Sequence, residues 1–327
     1  MLISEKTGDF ERFAGVEYAA EAGDQLAACL EAARGAFSYN TERALRADVE
    51  IFGFWCRQRA LEAVPASAAT LVAFIDGMAR IKAPSTVRRY VSSIATLHKA
   101  LGQTNPLENA RVRFALQRMH RRRGRRQAQV QGLTWPLRNR MLEVAGDRLI
   151  EVRNRALLAV AYDTLLRRSE LVSLEVSDLL EDMDGSATLL VRSGKTDPDR
   201  RGAMLYLARD TVRLVRTWLE AGGVGDGLLF RSVRKDGTLR GKLDPSQVPR
   251  IYKRMARQAG LPDDIVGSLA GHSTRVGPVQ DMIACGIELP AILQSGRWKT
   301  TRMVQRYGER LLARRSGAAQ LAERQQR

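Results

Sequence analysis

Between residues 38 and 120 the apolar residues recur with the period of a helix and show no convincing strand. That pattern restricts this part of the chain to helices packed on helices, because a 3.6-residue stripe can be buried only in that form. Leu45, Val49, Phe52 and Trp55 or Cys56 fall on one face, with Ser38, Asn40 and Thr41 available as N-caps. A second, short helix is predicted from Thr70 to Met78. Ser85, following Pro84, is read as the cap of a third, whose core stripe is Val87, Val91, Ile94 and Leu97 and whose other face carries Arg88, Arg89 and Lys99. Gly102 ends it, and a fourth helix is expected from Pro106 to His120. Residues 1–34, rich in Ala and Glu, are expected to be an extension that is helical in part.

A charge run then interrupts the pattern. Arg118, Arg121, Arg122, Arg123, Arg125 and Arg126 lie within nine residues, and no acid occurs between Arg111 and Arg140. A solvated basic linker accounts for such a run, but one this dense repels itself unless a polyanion lies alongside. The organisation read from these features is an extension over 1–34, a helical domain over 35–120, a basic linker over 121–133 and a second domain over 134–327. The second domain opens on Thr134-Trp135-Pro136, a cap followed by a helix start. The apolar segment Ala156–Leu166 reads as a buried helix, and Ala187–Val191 and Ala203–Leu207 read as two strands about a turn at Gly194–Gly202. Helices resume over Thr211–Ala221, Ser246–Ala259, Ser273–Cys285, Pro290–Gln294 and Thr300–Ala313, followed by an amphipathic stretch to Leu321. The expected fold class is mainly α: an all-α N-terminal domain, then helices with a small antiparallel sheet.

Composition narrows the partners. Against 36 Asp+Glu stand 53 Lys+Arg, a net charge of +17, which favours encounter with nucleic acid, an anionic membrane or an acidic protein. No stretch approaches the ~20 uninterrupted apolar residues of a membrane helix, and the acidic start MLISEKTGDFERF is unlike a signal peptide, so a cytoplasmic protein is expected. Cys29, Cys56 and Cys285 form no CxxC pair, and His98, His120 and His272 lack the spacing of zinc ligands, so no metal site is expected.

Several chemistries can be set aside. Gly194-Lys195-Thr196 is like the end of a phosphate-binding loop, but the glycine five residues earlier is Leu189, and Pro198 stands where a helix should begin. No G-x-S-x-G elbow occurs. What remains is a set of cations with the residues that phosphate chemistry needs: Arg167 with Glu170 three residues on, Lys195, His272 with Arg275 three residues on at a helix start, and Trp298 and Tyr307 near the last helices. Singly, each has an ordinary structural explanation. In this order and at this spacing they resemble the active-site signature of the tyrosine site-specific recombinases, closest to the Cre-like branch. Leu165 to Glu170 matches Leu-Leu-Arg-x-x-Glu, Gly271 to Gly277 matches Gly-His-Ser-x-Arg-Val-Gly, and Asp281-Met282 follows. Trp298 stands where most of the family has a second His. In the first domain Thr41, Trp55-Cys56 and Leu97-His98 fall in comparable places, so the likeness runs from about residue 35.

The resemblance implies an all-α core-binding domain and a mixed α/β catalytic domain of the integrase type, clamped about double-stranded DNA. It implies Tyr307 as nucleophile, Arg167 and Arg275 on the phosphate oxygens, and His272 and Trp298 as further hydrogen-bonding groups. Lys195 is the implied general acid, with Glu170 as an orienting partner, and no ATP, metal or other cofactor is required. Two features depart from a simple carry-over: Arg168 puts a second cation beside Arg167, and Pro278 interrupts the helix that carries Arg275, with Gly277 expected to accommodate the kink. Arg43, Arg46, Arg88, Arg89, Arg121, Arg122 and Arg123 are candidate DNA contacts, joined in the second domain by Ser246, Gln247 and Arg250. For Arg88 and Arg89, a base contact and a phosphate contact both stand. The implied assembly is a homotetramer on two inverted-repeat sites that exchanges strands through a Holliday junction, in a bacterial, phage or plasmid setting. The stretch after Tyr307 is read as a helix docking into a neighbouring protomer. The alternatives are a telomere resolvase or type IB topoisomerase, which share the tyrosine chemistry, and a DNA-binding regulator without catalysis.

Overall fold

The computed structural model describes residues 37–126, 128–192 and 202–327. The expected extension over 1–34, and Lys195 on its turn, lie outside the described residues. The chain forms two compact units that divide after residue 127.

The first unit is all helical: α1 (Tyr39–Arg57), α2 (Ala68–Ile81), α3 (Pro84–Ala100) and α4 (Ala110–Arg123). Ser38 caps α1, its hydroxyl accepting the Thr41 N–H, and Ser67 caps α2 through Thr70. The second helix starts two residues before the expected Thr70, behind this cap, and two further starts differ from the sequence reading. Helix α3 begins at Pro84 with Ala83 as its cap, since the fixed φ of proline suits the first helical position; Ser85 lies inside the first turn. The fourth helix starts at Ala110, because Asn109 caps Arg111 N–H, and Pro106–Glu108 forms a separate 3₁₀ turn under Asn105. The core is aromatic: Phe74 packs edge-on against Phe52 at 4.9 Å and Trp55 at 5.3 Å between centroids. Helix α4 runs through Arg123, so Arg121 to Arg123 are helical and exposed. The stretch read as a linker is thus divided: from Ala128 it belongs to the second unit, where Leu133 is fully buried.

The second unit contains α5 (Trp135–Glu143), α6 (Leu149–Thr164), α7 (Arg168–Leu171), β1 (Leu179–Glu181), β2 (Ala187–Val191) and β3 (Ala203–Leu207). It continues with α8 (Arg209–Gly222), β4 (Arg231–Val233), β5 (Leu239–Lys242), α9 (Gln247–Gln258), α10 (Asp263–Ser268), α11 (Ser273–Ala284), α12 (Leu289–Gly296), α13 (Arg302–Ala313) and α14 (Gly317–Arg324). The expected strands β2 and β3 pair antiparallel, Leu189 opposite Leu205, and β1 extends the sheet on the other side of β2. Alternation buries Ala187, Leu189 and Val191 and turns the intervening side chains outward. Helix α6 starts seven residues earlier than its apolar run, because Glu151, Arg153 and Asn154 are buried but partnered. Arg153 donates to the Arg231 carbonyl and to Asn154, and Glu151 accepts from Arg148 and Gln258.

His98 is a buried joint of the first unit. Its Nδ1–H donates to the Ile94 carbonyl at 2.8 Å and its Nε2 accepts the Ala66 N–H at 2.8 Å, which fixes one neutral tautomer. Burial lowers its pKa, against the opposing pull of the Ile94 carbonyl. The unfolded chain therefore binds this proton more readily than the folded one. Stability is full above the unfolded value of 6.5 and falls as pH drops through it, by at most about 1.4 kcal/mol per pH unit for one proton. Urea denaturation between pH 7.5 and 5 should show this loss, and His98→Gln should flatten it; equal slopes in both proteins would remove His98 as the cause.

Candidate active site

Six of the sequence-selected residues come together where α6, α7, α11, α12 and α13 meet. Leu165, directly after α6, adopts a left-handed conformation (φ 50°) although it is not glycine. That turn aims its carbonyl inward, where it accepts a hydrogen bond from Nη1 of Arg275. Arg275 is 3% exposed. Its Nη2 reaches the Gly296 carbonyl at 3.4 Å, and its guanidinium lies over the Trp298 ring, 5.2 Å from the centroid. Burial, with Arg167 next, pushes its pKa down to about 10, which still leaves it charged at neutral pH.

Trp298 in turn meets Tyr307 of α13 edge-on, with centroids 5.8 Å apart and planes at 72°. Tyr307 is 7% exposed and packs with Val276, Val279, Ile283 and Val304. Its backbone carbonyl accepts from the side-chain amides of Gln129 at 3.1 Å and Gln280 at 3.2 Å. Gly296 and Gly308 are needed here: a β-carbon on the first would run into the Trp298 ring, and one on the second into Ile283.

Arg167 sits at the N-terminus of α7. Glu170 accepts its backbone N–H at 2.9 Å through Oε2 and its Nη1 at 2.8 Å through Oε1. The neighbouring Arg168 is exposed and lies along Gly271. The same Glu170 Oε2 meets Nη2 of Arg297 at 2.5 Å. Burial would raise the Glu170 carboxyl, but the Arg167 N–H, Arg297 and the Arg167 side chain together hold it below its usual range. His272 is the N-cap residue of α11, three residues before Arg275, and reaches solvent. Burial of its surroundings, then Arg275, Arg167, Arg168 and Arg306, lowers its pKa, so the ring is neutral at neutral pH.

Helix α11 carries Pro278 without losing its place. The reason goes beyond the flexibility of Gly277: this glycine lies directly under the chain at Leu133, whose N–H donates to the Ser273 carbonyl at 2.9 Å. Asp281, on the same helix, accepts from the Trp135 N–H at 2.7 Å and the Tyr162 hydroxyl at 2.6 Å.

The candidate DNA contacts are exposed except Gln247, which is half-buried. Arg43 and Arg46 lie on α1, and Arg88 and Arg89 on α3. Arg89 is anchored: its Nη2 pairs at 2.9 Å with Asp48, a fully buried carboxylate that also accepts from Ser93 at 2.8 Å. In the second unit Ser246, Gln247 and Arg250 share the opening turn of α9. Among the described residues no cluster of His, Cys, Asp or Glu is arranged to hold a metal, and no helix is long and apolar enough to cross a membrane.

The sequence model of the phage integrase family matches residues 138–312, more than half of the chain. The chain belongs to the phage integrase family. Recombinase cre of Escherichia phage P1 is 28% identical over 291 residues, covering 84% of this chain and 85% of that protein. The integrase/recombinase xerD homolog of Selenomonas ruminantium is 29% identical over 285 residues, covering 83% and 81%. The solved structure of XerH site-specific recombinase in its post-cleavage complex with palindromic difH substrate shares the fold, with a TM-score of 0.69, 16% identity, and coverage of 92% of this chain and 85% of that one. As a phage integrase family member the protein is a tyrosine recombinase, with the mainly helical fold expected of one.

Two parts of this candidate site were missed by sequence reasoning. The Leu165 carbonyl carries no side-chain signal at all. Arg297 did have one, since it lies between Gly296 and Trp298, but a lone arginine in a loop is unremarkable until its carboxylate partner is known. The Gly277 contact yields a direct expectation. Gly277→Ala would push a β-carbon into the Leu133 backbone and should lower stability by about 3 kcal/mol. Thermal unfolding would register this as a marked drop in Tm; a Tm equal to wild type would mean that the two segments do not touch as described.

Proposed function

We propose that this protein cuts and rejoins DNA at specific sites through a covalent bond to Tyr307. The observation that carries this reading is one cluster of groups: Arg275 lies over Trp298, Trp298 meets Tyr307, and Arg167, held by Glu170, lies within the electrostatic reach of His272 and Arg275. A phosphodiester resists a nucleophile because its oxygens are negative, and charge gathers on those oxygens in the transition state. Arg167 and Arg275 hold them, with the planar donor geometry that such oxygens match. The Trp298 indole N–H adds a third donor. Preorganised donors of this kind commonly contribute ~10²–10³-fold each.

The Tyr307 oxygen forms the new bond to phosphorus as the bond from phosphorus to the 5′-oxygen breaks, leaving a 3′-phosphotyrosine and a 5′-hydroxyl. Neutral His272 accepts the Tyr307 proton, and Lys195 supplies one to the leaving oxygen. Because the phosphotyrosine conserves the bond, a 5′-hydroxyl can later reverse the reaction without ATP. Glu170 orients the arginines and touches no reacting atom.

The DNA is held by the exposed arginines of the first unit, Arg43, Arg46, Arg88, Arg89 and Arg121 to Arg123, and by Ser246, Gln247 and Arg250 of the second. Arg89 is the best-placed base reader, because an anchored guanidinium can pair bidentately with guanine O6 and N7. Helix α14 has no buried residue, with Leu321 half exposed, which fits a segment that docks into a neighbouring protomer. The resulting reading is a homotetramer on two inverted-repeat sites, exchanging strands through a Holliday junction in the cytoplasm, in a bacterial, phage or plasmid setting.

Two measurements test this. Incubated in EDTA with DNA from the flanks of its own locus and quenched in SDS, the wild type should give a protease-sensitive shifted band. Tyr307→Phe, which keeps the ring packed on Trp298, should give none while binding that DNA as tightly; an adduct in the variant would assign the nucleophile elsewhere. In a selection from randomised sites, Arg89→Ala should relax preference at a single base position, at a cost there of about 1–3 kcal/mol. Uniform weakening at every position would make Arg89 a phosphate contact.

A further inference from the structure

Among the described residues, the non-glycine positions with left-handed backbone are Ala60, Leu165, Arg297 and Gln326. Two of the four, Leu165 and Arg297, flank the same site. At such a φ a β-carbon crowds the following carbonyl, and glycine would remove the strain. For Leu165 the conformation is accounted for by the carbonyl it aims at Arg275. For Arg297 (φ 53°) the backbone accounts for nothing that glycine could not do: its N–H closes the end of α12 on the Gln294 carbonyl at 3.0 Å, and the turn folds Trp298 back over Gly296. A strained residue that persists at a functional site points to its side chain.

That side chain is 16% exposed, and its Nη2 lies 2.5 Å from Glu170 Oε2. Its Nε is buried and has no hydrogen-bond partner among the described residues, so the carboxylate of Glu170 is the acceptor that holds this guanidinium there. Glu170 has a second claimant in Arg167, through both its N–H and its Nη1. Without Arg297, a carboxylate only 5% exposed would rest on Arg167 alone and would largely cancel the cation that faces the phosphate. With Arg297 present, two positive charges share one negative charge, and the carboxylate is held from both sides.

We infer that Arg297 is a positioning residue for strand cleavage, clamping Glu170 so that Arg167 stays oriented and net positive toward the scissile phosphate. The inference rests on the reading of Arg167 and Tyr307 given above.

The test uses the full chain and a DNA site recovered by selection from a randomised pool. Single-turnover cleavage at saturating DNA, DNA affinity and Tm are measured for wild type, Arg297→Gly, Arg297→Asn, Arg297→Lys and Tyr307→Phe. Glycine and asparagine both tolerate the left-handed backbone, so strain and charge are separated. Arg297→Gly and Arg297→Asn should lower the cleavage rate at least about 10-fold, while affinity stays within about 2-fold and Tm is unchanged or raised. Arg297→Lys, with a cation but no planar fork, should recover part of the rate. Wild-type cleavage by Arg297→Gly would overturn the inference, as would a rate loss accompanied by a fall in Tm in both the Gly and Asn variants. Should Tyr307→Phe cleave like wild type, the reading of the site itself falls; an inert Tyr307→Phe beside an unimpaired Arg297→Gly would remove only the role of Arg297.

Discussion

A guanidinium can be taken out of water only if its hydrogens find acceptors, and Arg275, at 3% exposure, meets this condition through backbone carbonyls and an aromatic face. The Leu165 carbonyl is available because the chain turns left-handed as α6 ends. The Gly296 carbonyl is available because α12 ends where it does, and the Trp298 face because Gly296 leaves room beneath it. Two chain reversals far apart in the sequence, at Leu165 and at Arg297, thus serve one end, to keep one cation buried and held in place. Arg167 is held differently, through a carboxylate, and remains about one-fifth exposed.

The same economy governs the acids. Glu170 and Asp48 are both buried, and each is matched to arginine and to a further donor: the Arg167 N–H for the first, the Ser93 hydroxyl for the second. An excess of arginine does not by itself make a surface that recognises anything. Arg89 differs from the arginines around it because its pairing with Asp48 restricts the directions it can take.

Much of this was legible in the sequence, and the residues show why. Wherever burial follows a regular period, as in α1, β2 and β3, the pattern of apolar residues located the element. The signature from Arg167 to Tyr307 named side chains that the fold brings together, Lys195 excepted, which lies outside the described residues, because residue types that carry chemistry are written explicitly in a sequence. What escaped notice has no apolar signature. The first turns of helix α6 carry Glu151, Arg153 and Asn154, which look like solvent residues until their partners are seen. The hairpin of β4 and β5 is short and mostly exposed, so no alternation marks it. The start of α4 was set by which of two asparagines caps it, a choice between local hydrogen bonds that composition does not reveal. Carbonyl directions, as at Leu165, depend on φ and ψ and leave no trace in residue identity.

The segment from Ala128 to Leu133 carries a mechanical meaning. Its side chain at Gln129 grips the carbonyl of Tyr307, its N–H at Gln131 is bonded to Ser268, and its N–H at Leu133 is bonded to Ser273, next to His272. A pull on the chain at this point is therefore borne by the helix of Tyr307 and by the helix of Arg275 at the same time. Load applied upstream reaches α13 through one hydrogen bond and α11 through another, so tension along the polypeptide is a variable to which the spacing of Tyr307 and Arg275 is directly exposed.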